Sequence, residues 1–407
     1  MSHNSFQEIP WATDQQPKPS NTISNATNMI PHSRPIHLPN SLQYVNDVLT
    51  TGKLAQGAYT RRCEKWLKSL MQSGEAFLVT SGTTALEMAA MVVNIQPGNE
   101  VILPSYTFVS TVNAFVARGA TPVFVDIEKD TMNMDISLVE AAITPRTRAI
   151  VTVHYAGISC DMDALMEVAS RYDLFVIEDA AQGLASKYRG TFLGTIGHIG
   201  CISFHETKNF TSGGQGGAVL INRDELVERA EIVYDNGTNR VQFLREKLPS
   251  YEWQDVGSNH IMSEVLAALL WSQLEMAHAI QRTRLRIWNT YWASLQPLSK
   301  SSGGFELPKL PEGCEQNGHI FYLKLRDASR RSSFIQFMKE SQVAVSSHYT
   351  PLHLSPIGQR IGRFVGEDKN TSRASSQLVR LPIYFGLSED DQAKVIAAVH
   401  KFFDHGK

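Results

Sequence analysis

Three short segments of this 407-residue chain carry side chains able to do chemistry together. Lys208 lies in SFHETKN, between the apolar run CISF and the glycine-rich SGGQGG. Lysine is ordinarily a solvated surface group, but one set between a buried strand and a glycine loop is placed for desolvation, which favours the neutral, nucleophilic amine. Asp179 follows LFVIE, where a strand-end carboxylate can meet a cationic ring; by itself such an Asp is more often a turn or cap residue. Ser81-Gly82-Thr83-Thr84 follows AFLVT and opens into a helical pattern. Its amides, hydroxyls and helix dipole can receive a phosphate, or simply cap the helix. No GxxxxGK or GxGxxG accompanies it, which excludes the standard nucleotide motifs. His205-Glu206 begins like HExxH, but Asn209 stands where the second histidine is needed, which excludes that zinc site.

The elements that must position these residues are legible in the alternation of short apolar runs with helical patterns. AFLVT is followed by ALEMAAMVV, EVILP by TVNAFVARG, PVFVD by ISLVEAAI, and RAIVTVHY by DALMEVASRY, with LFVIEDA, CISF and AVLI beyond. This predicts an α/β fold with a large, mainly parallel sheet between helices, where ligands gather at the carboxyl ends of the strands. One long helix is expected from about Met262 to Leu295, leading into a smaller α+β unit. The expected division is a polar tail over 1–29, a large domain over 30–275 and a small carboxyl-terminal domain over 276–407.

Composition narrows the function. With 43% hydrophobic and 19% charged residues, the chain is neither fibrous nor wholly disordered. Its 38 basic and 40 acidic side chains give no basic field for nucleic acid. Four scattered cysteines without a CxxC pair argue against a metal ribbon or a disulfide scaffold. The amino terminus has no basic and apolar leader, and no long uncharged apolar stretch occurs, so a cytoplasmic protein without a membrane segment is expected.

Together, a phosphate cradle, a strand-end Asp and a loop Lys suit a phosphorylated, aldehyde-bearing pyridine. The ordered set SGTTALE, PSYTFVST, VFVDI, VHYAG, EDAAQG, GTIGHIG, SFHETKN, GGQGG, GSNHIMSE and HYTPLH resembles the DegT/DnrJ/EryC1/StrS family of sugar aminotransferases, from about Ile30 to the carboxyl terminus. The resemblance implies a fold-type-I enzyme using pyridoxal 5'-phosphate. It implies Lys208 as the Schiff-base lysine, Asp179 at the pyridine nitrogen, Gln182 beside the ring and Phe108 stacked on its face. Phosphate contacts would come from Gly82, Thr83 and Ser203, with Asn259 supplied by the second subunit of a homodimer. L-Glutamate would be the amino donor and a nucleotide-linked 4-keto-6-deoxyhexose, dTDP-linked by resemblance, the acceptor; no metal is implied. Gln215 in GGQGG and His260-Ile261 depart from common family patterns, which bears on the sugar pocket. A sugar dehydratase of the same family has histidine in place of the lysine, and a cofactor-binding regulator is the other rival; Lys208, Asp179 and Gln182 disfavour both.

Other residues read two ways. His154, His319, His348, Tyr349 and His353 suit either a sugar pocket or a satisfied core. Arg61, Arg62 and Lys53 are candidates for a diphosphate, and Phe321, Tyr322 and Tyr349 for an apolar rim around a thymine.

Overall fold

The computed structural model describes residues 29–36, 38–246 and 249–404. The tail expected over 1–29 lies, except for Met29, outside the described residues. From Ile30 the chain is anchored: its amide donates to Gln342 O at 2.8 Å and its carbonyl accepts from the Ala344 amide at 2.9 Å.

The apolar runs form one eight-stranded sheet. Its strands, in spatial order, are Glu75–Val79, Gly217–Ile221, Ile199–Ser203, Phe175–Asp179, Thr147–Val153, Glu100–Pro104, Thr121–Val125 and Arg363–Phe364. All neighbouring pairs are parallel except those made by Gly217–Ile221, which runs antiparallel to both its neighbours. Glu100–Pro104 and Gly217–Ile221 are buried along their length and Thr147–Val153 from Ala149 onward, as apolar runs require in a sheet covered on both faces. On one face lie the helices Gly82–Val92 and Val109–Val116; on the other, Ala58–Met71 and Glu264–Leu274 pack over Leu78, Ile202 and Leu220.

The helix expected as one unit from Met262 to Leu295 is two, Glu264–Leu274 and Ala277–Ser302, the second running on through Pro297. The break has a tertiary cause. Glu275 accepts from Tyr44 Oη at 2.8 Å and from Asn40 Nδ2 at 3.1 Å, which ties the junction to the helix Ser41–Thr51. The first segment then buries Ala267, Leu270 and Leu274 in the large-sheet core, whereas the second buries Ile287, Tyr291 and Leu295 in a separate one. That second core is built on an antiparallel sheet of Phe305–Glu306, Phe321–Leu325 and Leu378–Leu381, covered by the helices Arg330–Glu340 and Glu389–Asp404.

Candidate active site

The parallel strands end together, and the segments after them converge on a cavity of about 730 Å³. Of the expected site residues, Gly82, Thr83, Phe108, Asp179, Gln182, Ser203 and Lys208 line it. Asn259 does not; it is exposed and bridges to Asp235 on the outside of its own chain.

The phosphate-sized end of the cavity depends on local sequence. Ser81 caps the helix Gly82–Val92, its Oγ accepting from the Thr84 amide at 3.0 Å, which leaves the first amides of that helix without intrahelical acceptors. A Cβ on Gly82 would lie 2.8 Å from Ser203 Cβ, and one on Gly217 would lie 2.4 Å from Ser81 O. Only glycine at both positions lets the helix start, the Ser203 strand end and the antiparallel strand meet. Thr83 Oγ1 adds a 2.7 Å contact to Ser110 Oγ.

Asp179 ends its strand nearly buried, at 6% exposure. Its Oδ2 accepts from Thr111 Oγ1 at 2.7 Å and its Oδ1 from the Ala181 amide at 3.2 Å, so the carboxylate is held from two sides. Gln182 is oriented at both ends of its amide. Its Oε1 accepts from the Ala156 amide at 2.7 Å, and its Nε2 donates to Tyr349 Oη at 3.1 Å. Phe108, at the start of the helix Val109–Val116, lines the cavity and is 57% exposed.

Lys208 follows a tight turn in which its amide donates to His205 O at 2.9 Å. Burial pushes its pKa down from 10.5 to about 8, against the pull of the Asp179 carboxylate and with the help of the Arg380 cation. An amine depressed this far is a proton carrier and nucleophile near neutral pH.

The ambiguous residues separate. His319, His348 and Tyr349 line the cavity; the His348 and Tyr349 rings stack 4.0 Å apart at 7°. His154 does not: it is fully buried with Nε2 at 2.8 Å from Glu178, whose carboxylate also accepts amides of Gly194, Ile196 and Gly197. His353 is likewise occupied elsewhere, between Ser105 Oγ at 2.7 Å and Asp368 at 3.2 Å. Arg61, Arg62 and Lys53 are absent from the cavity wall; Arg62 lies over the Tyr59 ring at 5.1 Å, and Arg61 donates to Gln56 O. Phe321 and Tyr322 are buried in cores instead of lining a rim. Sequence reasoning missed Thr111, Arg380 and His32. Thr111 sits one helical turn beyond Phe108, and Arg380 is a lone charge inside the apolar run LVRLP, a signal the sequence offered and the reading of it passed over.

The profile of the DegT/DnrJ/EryC1/StrS aminotransferase family matches residues 36–400. The chain belongs to that family. This aminotransferase is 32% identical over 385 residues to the spore coat polysaccharide biosynthesis protein SpsC of Bacillus subtilis, covering 93% of this chain and 98% of that one. Among solved structures it is similar to the aminotransferase TlmJ of Streptoalloteichus hindustanus, with 29% identity, a TM-score of 0.84 and coverage of 93% and 99% of the two chains. It is also similar to DesV of S. venezuelae, solved with a ketimine intermediate, at 31% identity, a TM-score of 0.81 and coverage of 90% and 94%. The fold is that of the fold-type-I enzymes, and the cofactor of the family is pyridoxal 5'-phosphate. The cavity of this aminotransferase fits that group: a helix start that glycine alone permits against Ser203, a held carboxylate at Asp179 and a depressed amine at Lys208 match its phosphate, ring nitrogen and aldehyde in kind. Among the described residues no helix is long and apolar enough to cross a membrane.

Proposed function

We propose that this aminotransferase moves the amino group of L-glutamate to carbon 4 of a nucleotide-linked 4-keto-6-deoxyhexose. The acceptor in this reading is dTDP-4-keto-6-deoxy-D-glucose and the product dTDP-4-amino-4,6-dideoxy-D-galactose, a precursor for a surface polysaccharide. The observation that supports transamination most directly is the pairing, in one cavity, of a depressed lysine with a carboxylate fixed by Thr111 and the Ala181 amide.

The bound cofactor supplies a cationic ring that withdraws electrons from the carbon being deprotonated. Asp179 holds the ring-nitrogen proton, because a carboxylate and a pyridinium offset each other's desolvation. Lys208 Nζ takes the donor's α-proton and returns one to the reacting centre, a task suited to an amine with a pKa near the working pH. Gln182, locked by Ala156 and Tyr349, presents a fixed amide to the ring edge, and Phe108 covers one face. Gly82, Thr83 and Ser203 hold the phosphate. Asn259 serves the partner's site in a homodimer, a role that its position outside its own cavity is compatible with. The division at residues 275 and 276 into a large cofactor domain and a small domain belongs to the same reading, as does a cytoplasmic location.

The test is incubation of the enzyme with L-glutamate and dTDP-, UDP- and GDP-linked 4-keto-6-deoxyhexoses, with the product's C4 configuration read from NMR couplings. An axial amine on the dTDP sugar is expected. An equatorial amine overturns the galacto product, and turnover of only another nucleotide overturns the dTDP assignment.

A further inference from the structure

His319 lies just before the strand Phe321–Leu325 of the smaller sheet, yet its side chain lines the cavity with Lys208. Its backbone is held on both sides: its amide donates to Asn317 Oδ1 at 3.0 Å, and its carbonyl accepts from the buried Arg284 Nη2 at 2.9 Å. The ring is fixed too, in place and in tautomer. Asn209 Nδ2 donates to Asn317 O at 3.0 Å, and because a carbonyl only accepts, the Asn209 amide must turn its oxygen to the ring. That oxygen lies 2.8 Å from His319 Nδ1, which therefore carries the ring hydrogen. Burial, followed by the cations Lys208, Arg284 and Arg380, pushes the pKa of the ring well below its usual 6.5. The imidazole is neutral at neutral pH, and its Nε2 is a bare lone pair.

His319 and Lys208 also share a side chamber of about 10 Å³, with room for about one water molecule and no substrate group. The other polar side chains of that chamber are already hydrogen-bonded. Gln182 is held by the Ala156 amide and Tyr349, Asn317 Nδ2 donates to the carbonyls of Gln182 and Leu184, Ser203 Oγ accepts from the His205 amide, and Asn209 is held as above. Two nitrogens have no hydrogen-bond partner among the described residues, and they are complementary: Lys208 Nζ has hydrogens to give, and His319 Nε2 a lone pair to receive one. Resting on the transamination reading above, we propose that His319 Nε2 is the fixed acceptor of the Lys208 amine whenever that nitrogen is free of the cofactor. The step it serves is the proton transfer. The donor's Cα–H bond breaks, its electron pair goes to the cofactor ring, and its proton joins the Lys208 lone pair. One N–H donated to His319 directs that lone pair away from the chamber and into the cavity, and the ammonium so formed keeps the same bond. The proton stays on Lys208 because the buried ring is too weak a base to take it. His319 is a positioning residue: it acts through Lys208 and touches no substrate.

The experiment uses the holoenzyme and two variants, His319→Asn and His319→Gln. Asparagine keeps a donor at the reach of Nδ1 and ends there, whereas glutamine carries an amide oxygen out to the reach of Nε2. Loss of the visible cofactor band under L-glutamate gives the maximal rate and the half-saturating concentration, and α-deuterated glutamate gives the isotope effect on that rate. A hydrogen bond to a charged group, lost where the ammonium forms, corresponds to at least about tenfold in rate. His319→Asn is therefore expected to lower the maximal rate at least about tenfold, with half-saturation within about twofold and a larger isotope effect than wild type. His319→Gln recovers most of the rate. A maximal rate in His319→Asn within about threefold of wild type overturns the proposal. So does an equal loss in both variants, which marks a ring that only packs, or a rise in half-saturation alone, which assigns the ring to the donor. Where neither variant folds, or glutamate is not the donor, neutron diffraction is applied to wild-type enzyme loaded with pyridoxamine phosphate, in which Lys208 is free. Deuterium on Nδ1, with Lys208 Nζ within about 3.5 Å of a bare Nε2, is expected; deuterium on Nε2, or Nζ farther away, overturns the proposal. A wild-type enzyme that shows this contact yet aminates no nucleotide keto-sugar overturns the acceptor reading and not this one.

Discussion

Lys208 gives the sharpest quantitative test. In water a lysine amine with a pKa near 10.5 is neutral, at pH 7, in roughly one molecule in 3,000. With its pKa pushed down to about 8, the Lys208 amine is neutral in roughly one molecule in eleven, a gain of about 300-fold in the form that can attack an aldehyde. The perturbation is pH, and the assay is competitive acetylation of the cofactor-free protein between pH 6 and 11, with the Lys208 peptide quantified by mass spectrometry. A midpoint near 8 is expected, well below the bulk of the lysines. The causes of the shift predict how variants move it. The Asp179 carboxylate raises the pKa, so Asp179→Asn lowers the midpoint further; the Arg380 cation lowers it, so Arg380→Gln raises it. The stability consequence follows in sign: the folded state releases this proton before the unfolded chain does, so stability rises as pH increases from about 8 towards about 10.5, and well below 8 the cost of burying the cation is fully present and independent of pH. Lys208→Met abolishes that rise. A wild-type midpoint at 10 or above, or variants moving it in the opposite directions, refutes the reasoning.

The other predictions concern the groups around it. Thr111→Val removes a 2.7 Å hydrogen bond to a buried carboxylate and is expected to cost about 1–3 kcal/mol in urea unfolding of the cofactor-free protein, while Thr111→Ser retains most of it; a valine variant as stable as wild type shows that the bond contributes nothing. Gly82→Ala places a methyl 2.8 Å from Ser203 Cβ and is expected to weaken cofactor binding at least about tenfold by spectrophotometric titration, with partial recovery on adding Ser203→Gly; unchanged affinity shows that the helix start yields without harm to the site. Asp179→Asn is expected to bind the cofactor and transaminate far more slowly, and a rate within a few-fold of wild type shows that the ring nitrogen is held otherwise. Mixing inactive Lys208→Ala subunits with an inactive Asn259 variant is expected to restore activity in hybrid dimers, and verified hybrids without activity rule out the shared site.

The parallel sheet, the family and the strand-end segments that carry the chemistry were all legible in the order of residues. Those are readable because alternation is a local signal: an apolar run followed by Asp179, by Ser203 or by Ser81-Gly82 ends a strand whatever the rest of the chain does, and parallel strands bring their ends to one side. Residue types within those segments carried the chemistry of Lys208 and Asp179. What surrounds them follows from the folded arrangement instead. Whether a histidine faces a cavity or a core depends on partners far along the chain: His154 is claimed by Glu178, His353 by Ser105 and Asp368, while His348 reaches the cavity. The long helix is broken at Glu275 because two cores and a contact from Tyr44 make competing demands that periodicity cannot express. The contact of the Arg380 guanidinium with Ser346, the approach of His32 to the same hydroxyl, and the desolvation that sets the pKa of Lys208 arise when segments hundreds of residues apart exclude water together, and charge in a buried site is governed by that exclusion more than by its neighbours in sequence.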